Sequence, residues 1–165
     1  MHYKTIEKFD LNNGPGVRVS LWVSGCPHKC EGCHNAELFN YKAGYEFTPE
    51  TMDNLIQLIK DPNITGLSIL GGEPLCPENI ITVATICRTV RTFTNKSIWI
   101  WTGYDILKYK EDNKILSSMI NNNLFDVVID GPYKKDLPTK KHYRGSDNQR
   151  MFVLDANTTT LELVE

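Results

Sequence analysis

Cys26, Cys30 and Cys33 place three thiols within the eight residues Cys26-Pro27-His28-Lys29-Cys30-Glu31-Gly32-Cys33. Three thiolates this close in the chain can share one metal centre. Zinc would take His34 or His28 as a fourth ligand in a tetrahedral Cys3His site. Alternatively, three thiolates hold three irons of a 4Fe-4S cube and leave the fourth iron open to a substrate, because structural clusters use four cysteines. Spacing alone leaves both centres open, beside a chance grouping of thiols. A second chemical feature follows the apolar run Leu67 to Leu70, which leads into Gly71-Gly72-Glu73-Pro74. Glycines at a strand end let a ligand approach the backbone closely, and the carboxylate and carbonyls can receive an ammonium group. Taken alone, Gly-Gly-Glu-Pro is equally the pattern of a plain turn.

Both features need elements to hold them. Val17 to Val23 is a β-branched and aromatic run between Gly14-Pro15-Gly16 and Ser24-Gly25, which predicts a first core strand ending at the cysteine loop. Thr48 offers an N-cap and Pro49 a first helical residue, and Met52, Leu55, Ile56 and Ile59 recur at helical spacing, so residues 49 to 60 read as an amphipathic helix. Gly66 to Leu70 reads as a second strand, and Ile80, Val83, Ala84, Cys87 and Val90 form one face of a second helix. Ser97 to Thr102 predicts a third strand, Ile115, Leu116, Met119 and Ile120 a third helix, Asp126 to Asp130 a fourth strand and Met151 to Leu154 a fifth. Tyr3 to Phe9 and Thr159 to Val164 add candidate edge strands. Such alternation implies parallel strands joined by right-handed crossovers, hence an α/β fold in one domain spanning 1–165. Residues 131 to 150 form the one long segment without a regular pattern, and loops of that length are usually functional or mobile.

The chain has 165 residues, 18 Lys plus Arg against 20 Asp plus Glu, and is 41% hydrophobic. That is enough apolar material for one core. It is too short for a complete eightfold β/α barrel, which takes about 250 residues. A formal charge of −2 creates no global field that would recruit nucleic acid or an anionic membrane. No apolar run approaches the roughly 18 residues of a membrane span, and Met1 to Glu7 has no signal-peptide character, so a cytoplasmic location is expected. Five cysteines, an odd number, do not suit a secreted disulfide frame.

A Cys-x3-Cys-x2-Cys loop after the first strand, paired with Gly-Gly-Glu-Pro after the second, resembles the radical S-adenosylmethionine (SAM) enzymes. Asn13-Gly14-Pro15-Gly16-Val17-Arg18, Gly25-Cys26 and Cys33-His34-Asn35 are similar to the signature of the members that activate glycyl-radical proteins. Trp101-Thr102-Gly103-Tyr104, Asp130-Gly131-Pro132-Tyr133 and the run Arg144 to Arg150 extend the likeness to the activators of anaerobic ribonucleotide reductases. The resemblance implies a partial, open (β/α) barrel of the radical SAM type with parallel strands. It also implies a 4Fe-4S cluster on Cys26, Cys30 and Cys33, whose fourth iron binds S-adenosylmethionine. One electron then cleaves that cofactor to methionine and a 5'-deoxyadenosyl radical, with no acid or base residue required of the protein.

By the same resemblance, the radical takes a hydrogen from one glycine of the large subunit of the anaerobic ribonucleoside-triphosphate reductase, and a flavodoxin-type donor supplies the electron. Gly71, Gly72 and Glu73 would receive the methionyl ammonium. Gly32 and His34, on either side of Cys33, would present backbone to the nucleoside, and all three count as cofactor contacts. Thr102 and Gly103 would touch the ribose or the methionyl carboxylate, with a simple strand-to-helix turn as the alternative. Gly32 departs from the aromatic that many radical enzymes pack on the adenine. Five strand-helix units at most cannot close a barrel, and the gap suits a glycine loop of another protein. Two competing functions share parts of the pattern: a radical enzyme acting on a small molecule, of the deazaguanine-synthase type, and a non-catalytic zinc-binding module.

Other residues have plainer readings. His28 is expected to be a solvated loop residue, Cys87 a buried small hydrophobe and Cys76 a packed structural thiol. Trp99 and Trp101 are expected in the core. Arg18 is read equally as a residue orienting the rim of the site and as a surface strand arginine. Lys134, Lys135, Lys140, Lys141, Arg144 and Arg150 make the long loop basic. A solvated loop is the default there, with docking on an acidic partner or closure over the cofactor as the alternatives.

Overall fold

The computed structural model describes residues 1–164. In chain order it has β1 (His2–Asp10), β2 (Arg18–Val23), a 3-10 turn at Ala36–Phe39, β3 (Tyr45–Glu46), α1 (Pro49–Lys60), β4 (Gly66–Gly71) and α2 (Ile80–Phe93). These are followed by β5 (Ser97–Trp101), α3 (Ile106–Asp112), α4 (Lys114–Asn121), β6 (Val127–Asp130), β7 (Arg150–Asp155) and β8 (Thr160–Val164). Helix α1 starts as its sequence requires, with the Thr48 side chain accepting from the Thr51 amide, Thr51 reciprocating, and Pro49 in the first turn.

All eight strands form one sheet, in the order β3-β1-β2-β4-β5-β6-β7-β8. The pairs β2/β4, β4/β5 and β5/β6 are parallel. The other four of the seven pairings are antiparallel. This overturns the expected partial, open (β/α) barrel of parallel strands: the fold is a mixed eight-stranded sheet with four helices. The reason lies in the connections. Each parallel step has a helical crossover behind it, through α1, through α2, and through α3 with α4. Residues 131–149 contain no helix, so the chain returns along β6 as the antiparallel β7, and the short turn after β1 makes β1/β2 antiparallel in the same way. Period-two alternation is common to both strand directions, so direction is not written in it.

Alternate residues of the central strands divide between two faces. Val19, Leu21, Val23, Leu67, Ile69, Ile98, Ile100 and Val128 join the apolar faces of the helices in the main core. Trp99, Val127 and Ile129 form a second cluster on the opposite face, packed by Trp101, Tyr143 and Met151. No helix of the described residues is long and apolar enough to cross a membrane.

The N-terminal ends of the parallel strands are held by Arg18, which has no solvent exposure at all. Its Nε donates to Ser68 Oγ at 2.7 Å and its Nη1 to Ser97 Oγ at 2.9 Å, while Nη2 donates to the carbonyls of Leu67 at 2.7 Å and Ser97 at 3.2 Å. The guanidinium also lies 5.4 Å from the centre of the Trp99 ring. Arg18 therefore crosses β2, β4 and β5 inside the protein, at the end of the sheet away from the cysteine loop, and is neither a rim residue nor a surface one. Burial pushes its pKa down to about 10, which leaves it charged at neutral pH. Lysine cannot reproduce the planar fork. Arg18→Lys should cost about 3 kcal/mol of stability, through acceptors left unpaired in the interior. Urea unfolding measures this, and a loss under about 0.5 kcal/mol would contradict the assignment.

Candidate functional site

The carboxyl ends of the four central strands open on one cavity of about 180 Å³. Ligands of open α/β sheets bind at this edge, where strand-end backbone and loops converge. Strand β2 delivers Gly25 and Cys26, β4 delivers Gly71 and Gly72, β5 delivers Thr102 and Gly103, and β6 delivers Gly131. Cys26, Cys30, Cys33 and His34 line one side of the cavity, and Gly71, Gly72, Thr102 and Gly103 line the facing strand ends. Phe39, Leu70 and Trp101 supply apolar wall.

Two close backbone approaches set this geometry. Gly71 has φ +112, and a Cβ there would lie 2.7 Å from the Val23 carbonyl oxygen, so only glycine lets the ends of β2 and β4 meet. The Gly72 amide then donates to Val23 O at 2.8 Å and the Glu73 amide to Gly25 O at 2.7 Å. Asn79 Nδ2 bridges the carbonyls of Ser24 and Glu73. The segment leading into the cysteine loop is thus fastened to the turn after β4 by main-chain bonds.

Glu73 does not line the cavity; it lies behind it, with no exposure. Its Oε1 accepts from the Leu75 amide at 2.9 Å and from Thr102 Oγ1 at 2.8 Å. Its Oε2 accepts from the Gly103 amide at 2.7 Å and from His28 Nε2 at 2.7 Å. Four donors satisfy a carboxylate that would be costly to bury unpaired. The Glu73 side chain is thereby committed to protein groups, and of the Gly71-Gly72-Glu73 set only the two glycines border the cavity. Gly32 also lies outside the lining, beneath the side chain of Lys135.

His28 is not a solvated residue. Its ring sits edge-on to Tyr104 with centroids 4.5 Å apart and contacts Gly103, where a Cβ would come within 2.5 Å of His28 Cδ2. Since Nε2 donates to Glu73, that nitrogen is not available as a zinc ligand. The long segment is exposed over much of its length, Lys134, Lys135, Lys140 and Lys141 included, yet parts of it pack against the site. Lys135 pairs with Glu31 of the cysteine loop, Tyr133 lies 5.1 Å from the His34 ring, and the Tyr143 carbonyl accepts from Trp101 Nε1 at 2.8 Å. Gly131, Tyr133, Gly145 and Gln149 of this strap complete the cavity wall. Arg150 anchors its end, with Nε and Nη2 on the buried Asp130 carboxylate at 2.9 and 2.6 Å and Nη2 also 2.9 Å from Asp105. The sequence does not mark these strap residues, or His28, Asn35, Phe39, Leu70 and Trp101, as lining the cavity. The signal that could have found Gly131 and Tyr133 is their position just past a predicted strand end.

The five cysteines divide by environment. Cys76 and Cys87 are fully buried, and burial pushes both thiols up to about 12, so they stay protonated. Cys26 is also pushed up by burial, and the backbone amides of His28 and Lys29 offset only part of that rise. Those amides are the environment a metal-bound thiolate needs. Among the described residues no group of three metal-ligating side chains converges on one point; the three loop thiols share a cavity wall. A wall with three thiols and no fourth fits a 4Fe-4S cluster with one open iron better than a closed four-ligand site.

The family model of the 4Fe-4S single cluster domain matches residues 12–152. The anaerobic ribonucleoside-triphosphate reductase-activating protein of Enterobacteria phage T4 is 44% identical, over 92% of this chain and 94% of its own length. Those of Vibrio cholerae and Escherichia coli are each 36% identical, over 90% of this chain and 96% of theirs. The chain belongs to the anaerobic ribonucleoside-triphosphate reductase-activating protein family. As a member of that family it carries the 4Fe-4S domain, and the match takes in all four strand ends, the cysteine loop and the strap. For the activating-protein fold, the division of thiols has a direct test. Cys30→Ala should lose the brown visible absorption and most of the iron after anaerobic reconstitution, whereas Cys87→Ala should keep both. Retention of full iron by the Cys30 variant would contradict the ligand set.

Proposed function

We propose that this protein cleaves S-adenosylmethionine reductively at a cluster held by Cys26, Cys30 and Cys33, and so places a glycyl radical on an anaerobic ribonucleoside-triphosphate reductase. The observation that carries the proposal is the shared cavity: three thiols and no fourth on one side, with the glycine-rich ends of β4 and β5 facing them. Cys26, Cys30 and Cys33 would hold a 4Fe-4S cluster there, and that group would supply the one electron needed to break the bond from sulfur to the 5' carbon, with methionine as one product.

The chain's own residues bind and orient. Gly71 and Gly72 present strand-end backbone to the methionyl ammonium, without help from the Glu73 carboxylate, whose four bonds are already made. Thr102 Oγ1 is likewise spent on Glu73, so at the end of β5 it is the backbone of Thr102 and Gly103 that faces the ribose or the methionyl carboxylate. His34, next to the third thiol, borders the nucleoside, whereas Gly32 lies beneath Lys135 outside the cavity wall. Phe39, Leu70, Trp101 and Tyr133 keep water away from a radical that would otherwise be quenched. No side chain of this protein would be needed as acid or base, because a hydrogen atom from the Cα of a partner glycine would pass to the 5' carbon, giving 5'-deoxyadenosine and leaving the unpaired electron on the glycine. A flavodoxin-type protein is the proposed electron donor.

The test is to mix the reduced, reconstituted protein with S-adenosylmethionine and the reductase from its own host and to record the electron spin resonance spectrum. A glycyl doublet on the reductase, with one methionine released per radical formed, is expected. Cleavage without a doublet would assign the wrong substrate, and no cleavage would sink the proposal.

A further inference from the structure

The His28-Glu73 contact joins residues 45 positions apart in the chain and lies where no acid-base chemistry is called for. We infer that His28 is a positioning residue that locks the cysteine loop to the two strand ends bordering the cofactor cavity. The inference rests on the function proposed above. His28 sits between Cys26 and Cys30, so its ring fixes the middle of the loop. Through Nε2 it reaches Glu73 Oε2, and the same oxygen accepts from the Gly103 amide at the end of β5. The other carboxylate oxygen takes the Leu75 amide, just past the end of β4, and Thr102 Oγ1.

The ring's other contacts close a circuit. It packs on Tyr104, and Tyr104 stacks on Tyr109 with centroids 3.9 Å apart and planes 8° from parallel. Tyr109 Oη in turn donates to Leu75 O at 2.9 Å, back at the turn after β4. The imidazole is thus held at Nε2 by the Glu73 carboxylate and by the edge contact with Tyr104 of a stacked aromatic pair, beside Gly103. A side chain serving only the loop's own fold would not need partners on both neighbouring strand ends. What this circuit fixes is the distance between the loop that carries the thiols and the backbone that would carry the cofactor.

Three variants of the full chain test it, His28→Ala, His28→Gln and Gly103→Ala, each reconstituted anaerobically. Iron content should match the unsubstituted protein in all three, because the thiols remain. His28 also borders the cavity, beside Cys26 and Cys30. Affinity for S-adenosylmethionine, by equilibrium dialysis, should fall about 10- to 100-fold in His28→Ala, the range usual when a residue that orients a binding group is lost. His28→Gln should recover most of it, since its amide can donate to Glu73 from the place of Nε2. Gly103→Ala should behave like His28→Ala, because its new Cβ occupies the ring's space. Hydrogen exchange on the same proteins without S-adenosylmethionine should be faster than in the unsubstituted protein at the end of β5, residues 101–105, in His28→Ala but not in His28→Gln.

Loss of iron in His28→Ala, or affinity and exchange equal to the unsubstituted protein, would overturn the inference. If the unsubstituted protein itself bound no S-adenosylmethionine, the proposed function would fail, and the exchange data alone would then decide whether His28 ties the loop to β5.

Discussion

One carboxylate holds the working end of this molecule together. Glu73 is removed entirely from water, and such a group is tolerated only when its lone pairs are filled. Its four donors come from three different places: the cysteine loop, the turn after β4 and the end of β5. Because the carboxylate cannot give up a donor cheaply, none of the three can move independently. The loop and the two strand ends that border the cavity are thereby tied to one another, which is the preorganisation that the proposed reaction would need. With its four bonds made, the Glu73 side chain is turned away from the cavity, which Gly71 and Gly72 border.

The opposite end of the sheet is fastened by a group of the other sign. Arg18 spans β2, β4 and β5 with four donated bonds and touches no carboxylate. Asp130 forms a third anchor, taking the Arg150 fork and the Ile106 amide at the end of β6. Between these anchors the strands are filled by close-packed aliphatic side chains that carry no positional chemistry of their own. The strap from 131 to 149 closes the remaining side by lighter means: one exposed ion pair, ring contacts and the bond from Trp101 to Tyr143. Exposed ion pairs contribute little. The Gly131 amide adds a main-chain bond to Tyr104 O at 3.0 Å, and Tyr143 holds a φ of +64 within the strap.

Much of this was legible in the residues. Helix α1 follows from Thr48, Pro49 and the spacing of Leu55, Ile56 and Ile59, and the central strands follow from their apolar runs and glycine punctuation. The cysteine loop and Gly71-Gly72 marked the cavity because chemistry at strand ends leaves a local pattern. Strand direction was not legible at the edges, since alternation has the same period either way and only the missing helix in 131–149 turns β7 around. The environments of Arg18 and His28 were not legible at all. Each is made by residues 45 to 79 positions away, and nothing near Arg18 or His28 in sequence distinguishes a buried clamp from a solvated side chain. Trp101 was read as core for a similar reason: its strand is buried, but its own end of that strand opens on the cavity.

If the Glu73 carboxylate is the joint between the cysteine loop and the strand ends, His28 and Glu73 must act as one unit on cofactor binding. The most direct measurement is a double-mutant cycle of His28→Ala and Glu73→Gln, read as the affinity of the reconstituted protein for S-adenosylmethionine. The account predicts that the double variant loses no more than the larger single loss, with a coupling of about 1 kcal/mol or more. Losses that simply multiply would mean that the two residues act separately, and would contradict it.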